Sequence, residues 1–260
     1  MTARPVPRSP RRRAVLAATE PARTLMSAGA LAAGFPLLTR APRGEPHPVL
    51  VLPGLMASDV STQALRAWLR RLGYPVVGWA LGRNRGPTAQ VISELPLLLD
   101  RLAGEHGTSV SIVGWSLGGI YARRLARKAP RQVRQVISLG SPIGLAGADG
   151  SPGGRAYRRL APVRADGRLS APRTSLARPL PVPSTAVYSK WDGVVDWRAC
   201  RQQRGPRSEN VAVRSSHLGM GHDPAVLWVV ADRLAQPRAD WRPFERPTRF
   251  GLGTLFPPED

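Results

Sequence analysis

A serine with a glycine two residues before it and another two residues after it stands at Gly114-Trp115-Ser116-Leu117-Gly118, which fits G-x-S-x-G. Apolar residues run up to Val113 as a short strand, and a helical pattern begins at Leu117, so Ser116 falls in the turn between them. Such a turn imposes strained backbone angles and needs small residues two positions away on either side, which glycine supplies. The hydroxyl then projects from the carboxyl end of the sheet, where the amino terminus of the following helix favours developing negative charge. Gly119 gives further room for close packing. The chemistry that suits this position is nucleophilic attack.

A serine hydroxyl is a weak nucleophile near neutral pH, so it needs an imidazole to take its proton and a carboxylate to orient that imidazole. Two carboxylates stand in Tyr188-Ser189-Lys190-Trp191-Asp192-Gly193-Val194-Val195-Asp196. Asp192 lies just past a strand pattern, and Gly193 permits a tight turn that aims its side chain inward. Asp196 is the rival, although its position suits the cap of a following helix. Of four histidines, His47 precedes the first strand at the wrong end of the sheet and His106 closes a helix, so both read as surface residues. His217 and His222 lie in Ser216-His217-Leu218-Gly219-Met220-Gly221-His222-Asp223-Pro224. His217 is nearer the end of the preceding strand, where a base is needed. His222 adjoins a helix start, where a structural or substrate-lining role fits.

Attack on a carbonyl also requires two backbone N–H groups where the oxygen gains charge. Leu117, directly after the serine, supplies one. The turn after the first clear strand, Pro53-Gly54-Leu55-Met56, supplies the other at Leu55. Met56, Trp115 and Met220 lie near these positions and are read as substrate-binding residues for an apolar group, although the same side chains suit a core. No metal-ligand spacing is seen, and the chemistry needs no cofactor.

These residues must be held by elements that the hydrophobic pattern makes legible. Residues 49–52 form an apolar run too short for a helix and suited to a central parallel strand. Leu65, Trp68, Leu69 and Leu72 repeat at helical spacing, with Gly73 as a stop. Strand patterns follow at 74–79, 109–113, 133–139, 184–189 and 210–214; helical patterns lie at 88–106, from Leu117 to about Ala129, and at 223–235. Pro96 is expected to kink the helix that contains it or to mark its start. This alternation predicts an α/β fold: a mostly parallel central sheet with helices on both faces. Residues 143–183 lose the pattern and are expected to form an irregular cap over the serine. The division is then a basic tail and packing helix over 1–45, and one catalytic domain over 46–260.

The chain has 260 residues, 42% of them hydrophobic, enough for one domain with a sizeable core. Its formal net charge is +21, and of 38 basic residues only Lys128 and Lys190 are lysines. The arginines are spread along polar helix faces and loops, not gathered into stripes interleaved with aromatics, which argues against specific nucleic-acid recognition. Cys200 is the only cysteine, so there is no intrachain disulfide and no thiolate cluster. No run reaches the ~18 apolar residues of a membrane span. Residues 1–13 read as a disordered basic tail, and Glu20, Pro21 and Arg23 break the apolar run that follows. Leu25, Ala28, Ala32 and Phe35 at helical spacing predict a helix packed on the domain. A cytoplasmic protein is therefore expected, with export through a twin-arginine-like leader as the alternative.

The motifs at 49–55, 114–119, 188–195 and 216–224 together resemble the α/β-hydrolase superfamily, and within it bacterial esterases and lipase-like members. The similarity spans about residues 46–241. It implies Ser116 as nucleophile, Asp192 as acid, His217 as base, and the amides of Leu55 and Leu117 as oxyanion donors. The implied reaction is hydrolysis of a small-molecule carboxylic ester through an acyl-enzyme. An acyltransferase or thioesterase would use the same three residues, and a binding protein on the same scaffold is the non-catalytic alternative. The chain departs from many members in carrying Pro53-Gly54 where they have His-Gly. That change leaves the backbone donor intact.

Overall fold

The computed structural model describes residues 10–144, 176–248, 253, 256 and 257. Within them, strands β1 (Val49–Leu52), β2 (Val76–Gly78), β3 (Val110–Trp115), β4 (Val133–Leu139), β5 (Ser184–Ser189) and β6 (Ser208–Val213) form one sheet. Its order is β2-β1-β3-β4-β5-β6, and neighbouring strands are parallel throughout. The helices are α1 (Pro10–Ala18), α2 (Glu20–Leu38), α3 (Gln63–Arg71), α4 (Ala89–His106), α5 (Leu117–Lys128) and α6 (Pro224–Ala235).

The period of two along a strand assigns each side chain to a face. Val49 and Val51 enter one cluster with Leu65, Leu69, Val226 and Val230, beneath α2, α3 and α6. Leu50 and Leu52 enter the other with Leu95, Leu99, Ala122 and Leu125, beneath α4 and α5. Both faces of β1 are therefore buried, which is why its sequence is continuously apolar instead of alternating. The mostly parallel sheet with helices on both faces is as expected.

Several local expectations change. Helix α4 runs through Pro96 from its Thr88 cap, whose hydroxyl accepts a hydrogen bond from Val91 N at 3.3 Å, to a left-handed Gly107 at φ 60°. The polar tail begins to fold earlier than expected, since α1 starts at Pro10. Helix α2 packs on the domain, with Phe35 of the expected stripe against the core but Leu25, Ala28 and Ala32 exposed. Leu25 is 74% exposed, while Glu20, Ser27 and Leu38 are buried and Leu31 and Phe35 pack against the core. Polar contacts at the start of α2 set its rotation there, so an apolar count along an Ala-rich helix holds only at Phe35, toward its end. Most of the expected cap lies outside the described residues. At its two ends, Gly144 N donates to Ala199 O at 2.7 Å and buried Arg123 donates to Leu176 O at 2.7 Å. Among the described residues, no helix is long and apolar enough to cross a membrane.

Candidate active site

Ser116 occupies the turn between β3 and α5 with φ 53° and ψ −116°. A non-glycine residue in such a conformation stores about 1–3 kcal/mol, and it persists only where the surroundings impose it. Here the surroundings are glycines. A Cβ on Gly114 would overlap the backbone of Gly118 and Gly119, one on Gly118 would overlap Leu52 O, and one on Gly119 would overlap Ser141 Oγ. The turn thus closes against β1 and β4 at once. Ser116 N donates to Leu139 O at 2.8 Å, and its hydroxyl has no hydrogen-bond partner among the described residues.

The turn after β1 lies against the serine: a Cβ on Gly54 would stand 3.2 Å from Ser116 Cβ and 3.8 Å from its Oγ. Two residues that the sequence motifs did not single out hold this turn. Buried Asn84 donates to Pro53 O at 2.9 Å, accepts from Gly86 N and Tyr121 Oη, and bonds the backbone of Met56 and Ala57. Asp59 accepts from Trp79 N and Ala80 N at 3.1 and 3.0 Å, fixing the loop to the end of β2. The amides of Met56 and Ala57 are thereby engaged, with Asn84 O and Gly54 O. That of Leu55 has no acceptor among the described residues, and that of Leu117 stands in the first turn of α5, where helix amides lack an intrahelical partner.

Asp192 and His217 come from separate loops, after β5 and β6, and meet in the interior: His217 Nδ1 and Asp192 Oδ2 are 2.7 Å apart. The other carboxylate oxygen accepts from Val194 N and Val195 N at 2.8 and 2.7 Å. Burial pushes the His217 pKa down, but the charge and hydrogen bond of Asp192, followed by the charge of Glu20, outweigh it and leave the pKa raised. The pair shares a corner of the sheet with the serine turn. Gly140, which follows the Leu139 that binds Ser116 N, has φ 55°, and a Cβ there would lie 3.1 Å from His217 Nδ1. Trp115 Nε1 donates to His217 O at 3.1 Å.

The rival residues are turned to other tasks. Asp196 caps the short helical turn Trp197–Cys200, accepting from Arg198 N at 3.0 Å, and pairs with Arg13 at 3.1 Å. His222 Nε2 faces Thr24 O on α2 at 3.1 Å. Met56 is 37% exposed beside Leu55. Trp115 and Met220 differ from their expected place on a substrate surface. They are 7% and 0% exposed within the core cluster, because strand alternation sends Trp115 to the same side as Val113. They form the floor under the serine turn and the histidine loop.

Two more corrections concern residues read as ordinary. His47 is buried, with Nε2 2.7 Å from Ser111 Oγ and Nδ1 2.9 Å from Glu45 O, and burial pushes its pKa down to about 4. Glu20, read as a break in an apolar run, is 3% exposed and bonds both the Asp192 and the His217 loops. A lone carboxylate in an otherwise small and apolar stretch was the available signal. A surface cleft of about 420 Å³ between the middle of α4 and the carboxyl end of α5, lined by Pro96, Leu99 and Lys128 among others, lies beside the start of β4, away from Ser116.

No family model matches the chain, and no curated protein matches it. Solved structures do. The chain is similar to a pyrethroid hydrolase from Sphingobium faniae JZ-2, at TM-score 0.52 and 17% identity over 75% of this chain and 100% of that one. It is similar to a monoacylglycerol lipase of Paleococcus ferrophilus, at TM-score 0.51 and 17% identity over 74% and 97%. A structure of the metagenome-derived lipolytic enzymes LipS and LipT gives TM-score 0.53 and 16% identity over 75% and 94%. At these identities the likeness is one of fold: the chain has the α/β-hydrolase fold.

Proposed function

We propose that this protein is a serine hydrolase acting on carboxylic esters. The observation that carries the reading is the buried Asp192–His217 pair beside a serine held at positive φ in a strand-to-helix turn. In this reading Ser116 Oγ attacks the ester carbonyl while His217 Nε2 takes its proton. Asp192 fixes the imidazole with Nδ1 protonated and stabilises the imidazolium that forms. The tetrahedral oxyanion is met by the amides of Leu117 and Leu55, two donors set in place before the substrate arrives. His217 returns its proton to the leaving alcohol, and an acyl group stays on Ser116. Water, activated by the same imidazole, then releases the acid and restores the serine. The hydroxyl has no partner among the described residues, and bonds of this kind commonly tighten only when substrate is bound.

Met56, exposed next to the Leu55 amide, supports a substrate with an apolar acyl group. The test is hydrolysis of p-nitrophenyl esters of increasing acyl length by the wild type and by Ser116→Ala, His217→Ala and Asp192→Asn. Removing a member of such a triad lowers kcat by about 10⁴-fold or more. Loss of that order in all three variants is the expected result. Wild-type levels in Ser116→Ala would remove the reading.

A further inference from the structure

Resting on the hydrolase reading above, we propose that Glu20, on the amino-terminal helix α2, is a positioning residue that clamps the Asp192 and His217 loops into one unit. Its Oε1 accepts from Gly193 N at 2.7 Å and from His217 N at 3.1 Å, and its Oε2 accepts from Leu218 N at 3.2 Å. One carboxylate therefore satisfies the residue after the acid, the base itself and the residue after the base. Charged acceptors make the stronger hydrogen bonds, and without this one three largely buried amides would lose their partner.

The rest of the segment serves the same purpose. Arg23 pairs with Glu20 at 3.1 Å and also donates to Trp191 O, beside the acid. A Cβ on Gly193 would overlap Leu16 O, so the acid loop is seated directly on the end of α1. On the other loop, Thr24 Oγ1 is 3.3 Å from Ser216 Oγ, and Ser27 Oγ donates to Asp223 Oδ2 at 3.4 Å. Nothing in the G-x-S-x-G motif or in the loops themselves calls for this helix. The two loops leave different strands, and their relative position is fixed by a carboxylate more than 170 residues earlier in the chain.

Position is only part of the effect. Among the described residues, the charged groups that act on His217 are Asp192, which pairs with its ring, and Glu20 from α2. Arg23 partners Glu20, Arg13 partners Asp196 four residues past the acid, and Asp223 bonds Ser27 at the start of α6. Glu20 is the second carboxylate favouring the imidazolium, which forms as the serine loses its proton.

The test compares wild type with Glu20→Gln and Glu20→Ala, using amide hydrogen exchange, kcat and KM on p-nitrophenyl esters, and the pH profile of kcat/KM. In Glu20→Gln the carbonyl can keep the Gly193 and His217 bonds, while the amide group faces Leu218 N. Exchange protection is expected to fall at Leu218 in that variant and at Gly193, His217 and Leu218 in Glu20→Ala. In both, kcat is expected to drop by about 10–100-fold, as for small misplacements of catalytic groups, with KM nearly unchanged. The acid limb moves to lower pH, because a charge that raised the His217 pKa is gone. Unchanged exchange at Leu218, or an unchanged kcat and acid limb, in the folded Glu20→Gln protein overturns the proposal. Should Glu20→Ala fail to fold, the near-isosteric Glu20→Gln decides. If the wild type hydrolyses no ester, the hydrolase reading fails by itself, and exchange together with NMR titration of His217 still decides the clamp.

Discussion

An imidazole 2.7 Å from a buried carboxylate is both an oriented base and a group with a predictable pH response. In the proposed mechanism His217 must be neutral to accept the serine proton, so kcat/KM should fall as pH drops through its pKa. That pKa is raised, chiefly by Asp192 against the opposing effect of burial, so the acid limb is expected above the ordinary histidine value of 6.5. Asp192→Asn should move the limb down as well as lowering kcat, and a profile that stays put would separate the limb from this pair. His47 makes the opposite prediction, on stability. Its folded pKa of about 4 lies below its ordinary 6.5, so the unfolded chain binds the proton more readily. Stability contributed by neutral His47 is complete above 6.5 and is lost as pH falls from 6.5 through 4. The loss amounts to about 3 kcal/mol. Urea melts between pH 7 and 4 should show it, and His47→Gln should show a shallower decline.

At the scale of elements, the serine turn is a contact between backbones. Gly114→Ala or Gly118→Ala places a methyl group inside α5 or against Leu52 O, and overpacking of this kind destabilises by about 1–3 kcal/mol. Either variant should lower the denaturation midpoint and reduce activity; an unperturbed Gly114→Ala would mean that the turn is looser than described. This element was legible because its constraint is local: strand, small residues and helix succeed one another within a dozen positions. The loops carrying Asp192 and His217 were legible for the same reason, as each follows its strand directly. What holds those loops was not. Glu20 meets them only through the tertiary fold, and along the sequence it is a single carboxylate between Thr19 and Pro21. His47 was misread by the same route, because nothing near it in sequence announces Ser111 as its partner. Trp115 was misread because proximity to Ser116 along the chain is not proximity on a surface, and alternation in β3 turns it into the core.

At the scale of the molecule, a sheet buried on both faces supplies a rigid frame, and the three residues of the proposed triad stand just past the carboxyl ends of β3, β5 and β6. The net charge of +21 belongs to this scale too. The site is built from short-range contacts in the interior, so hydrolysis of a neutral ester should change by less than about twofold between 50 and 500 mM salt, whereas adsorption to anionic surfaces should weaken steeply. Steep salt dependence of the hydrolysis itself would instead tie substrate capture to the arginines. The central claim, that Ser116 is the nucleophile, is tested most directly by treating the native protein with a fluorophosphonate and locating the adduct by peptide mass spectrometry. A single adduct on Ser116, lost in Ser116→Ala and greatly slowed in His217→Ala, is the predicted result. A wild-type protein that does not react, or one labelled equally well in Ser116→Ala, would contradict it.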